Sequence, residues 1–237
     1  MHINTEFMAE TFLASLGGIP VTLEITLVTL LISVPPAFFM ALARQRRKGI
    51  GSRLASAHVS FIRGTPVVLQ ILFLYSLLPS LLNYLFTQVM SLQVNVFKWN
   101  TILYAFIVFS LNTTAVLSEV FRSALSTVEH GQMEGALSVG LSRRQAYARI
   151  ILPQALVSAL PNICNATVNL LKSTSLAFMM TVQDITAIAK VRAAYGYNYI
   201  EAYLVVLVVY ILLCTVVQLL FKAVERYLSS YKKLIAA

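Results

Sequence analysis

Five apolar runs of about 20 residues or more divide the chain: about Gly18 to Ala43, Thr65 to Leu85, Thr101 to Val120, Leu152 to Leu171 and Ile200 to Phe221. A helix of about 20 apolar residues crosses the roughly 30 Å hydrocarbon core of a bilayer. Backbone N–H and C=O groups find no water there, so such a segment spans as an α-helix with its hydrogen bonds closed internally. Composition agrees: 58% of the 237 residues are hydrophobic and 11% are charged, against about 45–50% and about 25% in soluble domains. An ordinary soluble enzyme is excluded, and too few residues lie outside the runs for a large extramembrane domain. The expected fold is a single all-α membrane domain over residues 1–237 with five transmembrane helices.

The net charge of +9 does not point to nucleic acid, because the positions of the basic residues carry the information. Arg44, Arg46, Arg47, Lys48, Arg53 and Arg63 follow the first run; Arg122, Arg143, Arg144 and Arg149 lie between the third and fourth; Lys222, Arg226, Lys232 and Lys233 follow the fifth. Lys98, Lys190 and Arg192 fall on the other side, with Lys172 at a span end. Cytoplasmic loops retain Lys and Arg, so the N-terminus is expected outside and the C-terminus in the cytoplasm. Ser52 to Asn83 would measure about 48 Å as one helix, too long for one upright crossing. Pro66 disfavours helical geometry at Thr65, which divides the stretch into an interfacial helix up to Phe61 and a span beginning near Arg63-Gly64-Thr65-Pro66. Met1 to Leu16 carries Glu6 and Glu10 but no Lys or Arg, unlike the n-region of a secretory signal, and its loosely amphipathic pattern suits a surface helix. Cys164 and Cys214 read as small buried hydrophobes.

Arg122 to Ile151 is the longest stretch on the basic side, and a connection of about 30 residues is expected to be functional or structured. Gly131-Gln132 reads as a break, Met133 to Val139 as a short helix, and Gly140 as its C-terminal cap. Ser142 with Gln145 forms a capping box that starts another helix. Pro153 then stands in the first turn of the fourth span, where proline is tolerated.

Within this loop Glu134-Gly135-Ala136, Gly140, Ile150, Leu152 and Pro153 stand at the intervals of a motif. The pattern resembles the cytoplasmic signature of permease subunits of ABC importers: Glu-Ala-Ala, three residues, Gly, nine residues, Ile, one residue, Leu-Pro. Gly135 in place of the first alanine is the one departure. The resemblance implies a type I ABC importer permease fold in which this short helix docks on a cytoplasmic ATPase subunit, with Glu134, Gly135, Ala136, Gly140, Ile150, Leu152 and Pro153 as the coupling residues. Gly18 to Leu23, Phe61 to Gln70, Ser118 to Arg122, Gly131 to Ala136, Leu152 to Ala155 and Lys172 to Leu176 are similar to the polar amino acid permeases of the histidine, glutamine and arginine type. Among relatives the chain resembles most the permeases assigned to cystine uptake. Ala115-Val116 stands where that family usually has Ala-Tyr, and Ser173 where an acidic residue is common; both departures bear on the substrate. The resemblance further implies a second permease, identical or related, two ATP-binding subunits and an extracytoplasmic solute-binding protein, all at a bacterial inner membrane.

Polar side chains inside spans are costly unless they meet a partner or a water-filled path. Asn162, Asn165, Asn169 and Lys172 are spaced three, four and three apart, so they share one face of the fourth helix. Asn112 and Glu119 likewise share a face of the third. At 1.5 Å per residue Asn112 and Asn165 each lie about 18 Å from an end of their span, near mid-depth. Asn112, Thr113, Glu119, Asn162, Asn165 and Asn169 are therefore candidates for a substrate path. Hydrogen bonding between helices is the alternative for the asparagines, and for Glu119 and Arg63 an ion pair or a snorkelling charge. Pro35-Pro36 and Pro161 either open a cavity or shape the packing.

No enzymatic site is expected. His2, His58 and His130 are scattered, the acidic residues form no pair, and no Gly-x4-Gly-Lys-Ser/Thr loop occurs, so ATP must be handled by another chain and neither cofactor nor metal is implied. A stand-alone secondary amino acid transporter driven by an ion gradient is the alternative reading, although five spans without a visible repeat suit one half of a dimer better.

Overall fold

The structure, a computed structural model, describes residues 3–45 and 49–235. His2, Arg46, Arg47 and Lys48 lie outside the described residues, as do the side chains of Lys232 and Lys233. Ten helices are present among these residues: α1 (Thr5–Leu16), α2 (Ile19–Gln45), α3 (Ile50–Gly64), α4 (Val67–Tyr84), α5 (Thr101–Ser126), α6 (His130–Ser138), α7 (Arg143–Ala146), α8 (Leu152–Ser173), α9 (Ile185–Gly196) and α10 (Tyr199–Ile235). Five stretches are long and apolar enough to cross a membrane: Ile19–Gln45, Val67–Val89, Thr101–Ser126, Arg143–Met180 and Tyr199–Leu228.

The broadest packing is between α2 and α5. Along α2 the buried side chains Thr22, Thr26, Thr29, Ser33, Ala37 and Ala41 recur every three or four residues. In lipid no water is released by bringing two apolar helices together, so small residues that let backbones approach closely are what permits a tight pair. Ser33 Oγ reaches across to donate to the Ser110 carbonyl at 3.1 Å, and Arg44 meets Glu119, so the two helices run in parallel. Against them α4 and α8 run the opposite way: Gln70 lies beside Asn112 and Tyr75 beside Tyr104, and Thr127 at the end of α5 meets Ser158 near the start of α8. The spans thus alternate in direction. Ile25, Ile71, Val108, Phe109, Leu170 and Met180 form the central apolar core.

Pro66 divides the second segment as expected: Thr65 is extended (φ −121, ψ 144) and Pro66 caps α4. Pro35-Pro36 and Pro161 lie inside continuous helices. Pro153 follows a π-turn over Tyr147–Ile151, in which the Leu152 N–H reaches the Tyr147 carbonyl; the wider turn absorbs the bond that proline cannot donate. One expectation needs correction. Gly131 and Gln132 do not break the chain but lie in the first turn of α6, because the break falls at Glu129, which is extended (φ −60, ψ 140). Glycine costs little in a first turn whose N–H groups have no helical partner in any case.

The α1 helix forms, but it buries Thr11 and Ser15 against α9 and α10 and leaves Leu13 outward. Arg192 ties it down through Glu10 at 2.8 Å and Thr11 at 3.3 Å. Between α1 and α2, Gly18 presses on the start of α9, where an added Cβ would sit 2.5 Å from the Ile185 nitrogen.

Candidate functional site

The loop between α5 and α8 is built by its own end signals. At the close of α6 Gly140 takes φ +83; its N–H bonds to the Leu137 carbonyl and that of Leu141 to the Ala136 carbonyl. This is a Schellman stop, which needs the left-handed residue that glycine supplies. Ser142 and Gln145 then form the reciprocal capping box that starts α7. The expected helix, stop and restart are all present.

The motif residues divide by where they face. Ala136 is buried; Ile150 and Leu152 pack, with Met133, against the cluster of Leu125, Ile151 and Ala155. These hold α6 to the ends of α5 and α8. Glu134, Gly135, Gly140 and Pro153 are exposed, and Val139, 77% exposed, stands beside them. The helix therefore presents a small, partly apolar surface beyond the end of the spans.

At the same end Glu119 gathers arginines from three elements. Its Oε1 accepts from Arg44 Nη2 at 2.7 Å, its Oε2 accepts from Arg122 at 2.9 Å, and Arg63 Nη1 is 3.7 Å away. Both carboxylate oxygens are occupied, so Glu119 links α2, α3 and α5. Arg44, which the sequence marks only as a topological charge, is its tightest partner, 75 positions away.

Deeper in the bundle Gln70 closes the gap left by Pro66. Its Nε2 donates to the Ile62 carbonyl at 2.8 Å, the group that a residue other than proline at 66 would have bonded, and lies 3.0 Å from the Thr65 carbonyl. Its Oε1 accepts from Asn112 Nδ2 at 2.9 Å. Asn112 is thus turned toward α4, and Thr113 beside it is buried. No hydrogen bond joins Asn112 to Asn165 among the described residues.

Asn162, Asn165, Asn169 and Lys172 form one exposed strip of α8, running beside Ala155, Ala159 and Ala166, which are buried. Among the described residues, the side chains of the three asparagines make no hydrogen bond within the chain. Amides in a spanning helix cannot be left against lipid, so this face calls for a polar cover.

A family model described as the binding-protein-dependent transport system inner membrane component matches residues 33–230, and the chain belongs to that family. It is the multi-pass permease subunit of an ATP-binding-cassette importer. ATP is hydrolysed by separate ATP-binding subunits, and the assembly also includes a second permease and a solute-binding protein; this replaces the reading of a stand-alone carrier. The chain is 34% identical over 227 residues to the probable amino-acid permease YxeN of Bacillus subtilis (strain 168), covering 96% of each. It is 32% identical over 208 residues to the L-cystine transport system permease TcyL of the same organism, covering 88% of this chain and 84% of that one. In fold it is similar to a crystal structure of an amino acid ABC transporter with histidines, with TM-score 0.78, 24% identity, and 96% of this chain and 100% of that one covered.

Proposed function

We propose that this permease serves an importer of polar amino acids, with cystine a leading candidate, and that its N-terminus lies outside and its C-terminus in the cytoplasm. The exposed asparagine face of α8 carries the substrate reading: a second permease would cover it and enclose a polar path at mid-depth. An amino acid brings an ammonium and a carboxylate, and asparagine offers an acceptor and donors to both. Similarity to permeases named for amino acid and cystine transport supports the substrate class. The placement of the basic residues at the α6 end supports the orientation. With that end in the cytoplasm, Glu134, Gly135 and Gly140 face the ATP-binding subunit, while Ala136, Ile150 and Leu152 set the pose of α6 and Pro153 opens α8.

Uptake of radiolabelled cystine by the reconstituted complex, with competition across the polar amino acids, tests the substrate class. Asn165→Leu gives the cleaner test of the path, because Asn165 has no partner in its own chain to lose, whereas Asn112→Leu also breaks the bond to Gln70. Leaving substrate charges unmatched costs about 1–3 kcal/mol, or about 5- to 150-fold in apparent affinity. Unchanged kinetics in Asn165→Leu and Asn169→Leu would remove the α8 face from the path.

A further inference from the structure

At the α6 end a cleft of about 470 Å³ opens between α2 and the junction of α7 with α8. Phe38, Leu42, Tyr147 and Leu152 supply apolar walls, and Arg143 and Arg144 also line it. Its volume lies in the range of about 300–1,000 Å³ typical of ligand sites. Both arginines are exposed, no acidic side chain lines the cleft, and among the described residues neither arginine forms an ion pair. That contrasts with Arg44 and Arg122 nearby, whose charges are met by Glu119.

We propose that this cleft binds an anionic phospholipid, its phosphate on Arg143 and Arg144 and an acyl chain along Phe38, Leu42 and Leu152. A free phosphate would leave the apolar walls wet, and a hydrocarbon chain alone would leave two guanidinium groups unmatched. An amphiphile with an anionic head satisfies both. The cleft lies where candidate spans end, at the depth of lipid head groups, and guanidinium forks suit phosphate oxygens. The inference depends on the span assignment, and neither on the substrate nor on which side of the membrane this end faces.

The test uses the full chain in complex with its ATP-binding subunits. Retention of phosphatidylglycerol and phosphatidylcholine is measured by native mass spectrometry, with glycerol 3-phosphate as a soluble competitor. The expected result is selective retention of phosphatidylglycerol, weakened on the order of tenfold by Arg143→Gln/Arg144→Gln. Ala148→Trp, which fills the cleft and keeps its charge, should weaken it as well, and Arg53→Gln on α3 should not. Unchanged retention in the double variant, or an equal loss in Arg53→Gln, would overturn the proposal. So would displacement by glycerol 3-phosphate, which means a small-anion site, or loss of the ATP-binding subunits from the double variant, which means that these arginines dock protein.

Discussion

Pro66 removes the N–H that would have bonded the Ile62 carbonyl, and Gln70 supplies the replacement while holding Asn112. Gln70→Leu leaves two carbonyls and an amide without partners in a low-dielectric setting, a loss of about 1–3 kcal/mol. Asn112→Leu removes one bond of that set and should cost less, and the double variant should fall short of the sum because the two residues share an interaction. Thermal unfolding of the purified complex checks this order; a Gln70→Leu variant as stable as the parent would contradict it. Asp184, outside the spans, caps α9 by accepting the Ala187 N–H at 2.8 Å and takes a further bond from the Tyr210 hydroxyl at 3.2 Å. Burial outweighs these bonds and holds its carboxyl above the usual carboxylate range. A folded-state pKa above the unfolded one means that folding favours the proton: the stabilising contribution is full below the unfolded value and is lost as pH rises through the raised one. Asp184→Asn keeps the capping oxygen and should lack this decline in a melting series against pH. Matching pH profiles for the two proteins would show that Asp184 does not titrate in this way.

Gly140 is a test of α6 as an element. No atom lies within 4 Å of where its Cβ would stand, so a side chain there meets φ strain but no wall, a cost of about 1 kcal/mol. Gly140→Trp should therefore leave the permease at near-normal levels in the membrane while abolishing co-purification of the ATP-binding subunits and uptake; Gly140→Ala should retain most of both. Co-purification near wild type in the Trp variant would mean that α6 is not the docking element. The elements legible in the sequence were those with local causes: five apolar runs, the break at Pro66, the stop at Gly140, the capping box at Ser142. Helix ends with no local marker are not legible in this way. The α6 helix begins at His130 rather than Met133, and α5 continues past its apolar run to Ser126, because favourable continuation of the backbone decides such boundaries. Partners were the least legible feature, since Gln70 and Asn112 lie 42 positions apart and Arg44 and Glu119 lie 75 apart. The stripe of small residues along α2 was present in the sequence, but its meaning depends on α5 lying against it.

For the whole molecule, alternation of five spans puts the two termini at opposite ends. A cysteine at Thr5 should react with an impermeant thiol reagent in intact cells, and one at Ser230 should not; the reverse pattern would invert the proposed orientation. The energy source separates an importer subunit from a carrier. Proteoliposomes holding this chain with its ATP-binding subunits, second permease and solute-binding protein measure it directly, with radiolabelled cystine on the side of the binding protein and ATP on the other. The account predicts accumulation that requires both ATP and the binding protein and survives an ionophore that dissipates ion gradients. Accumulation without ATP that collapses with the ionophore would contradict it.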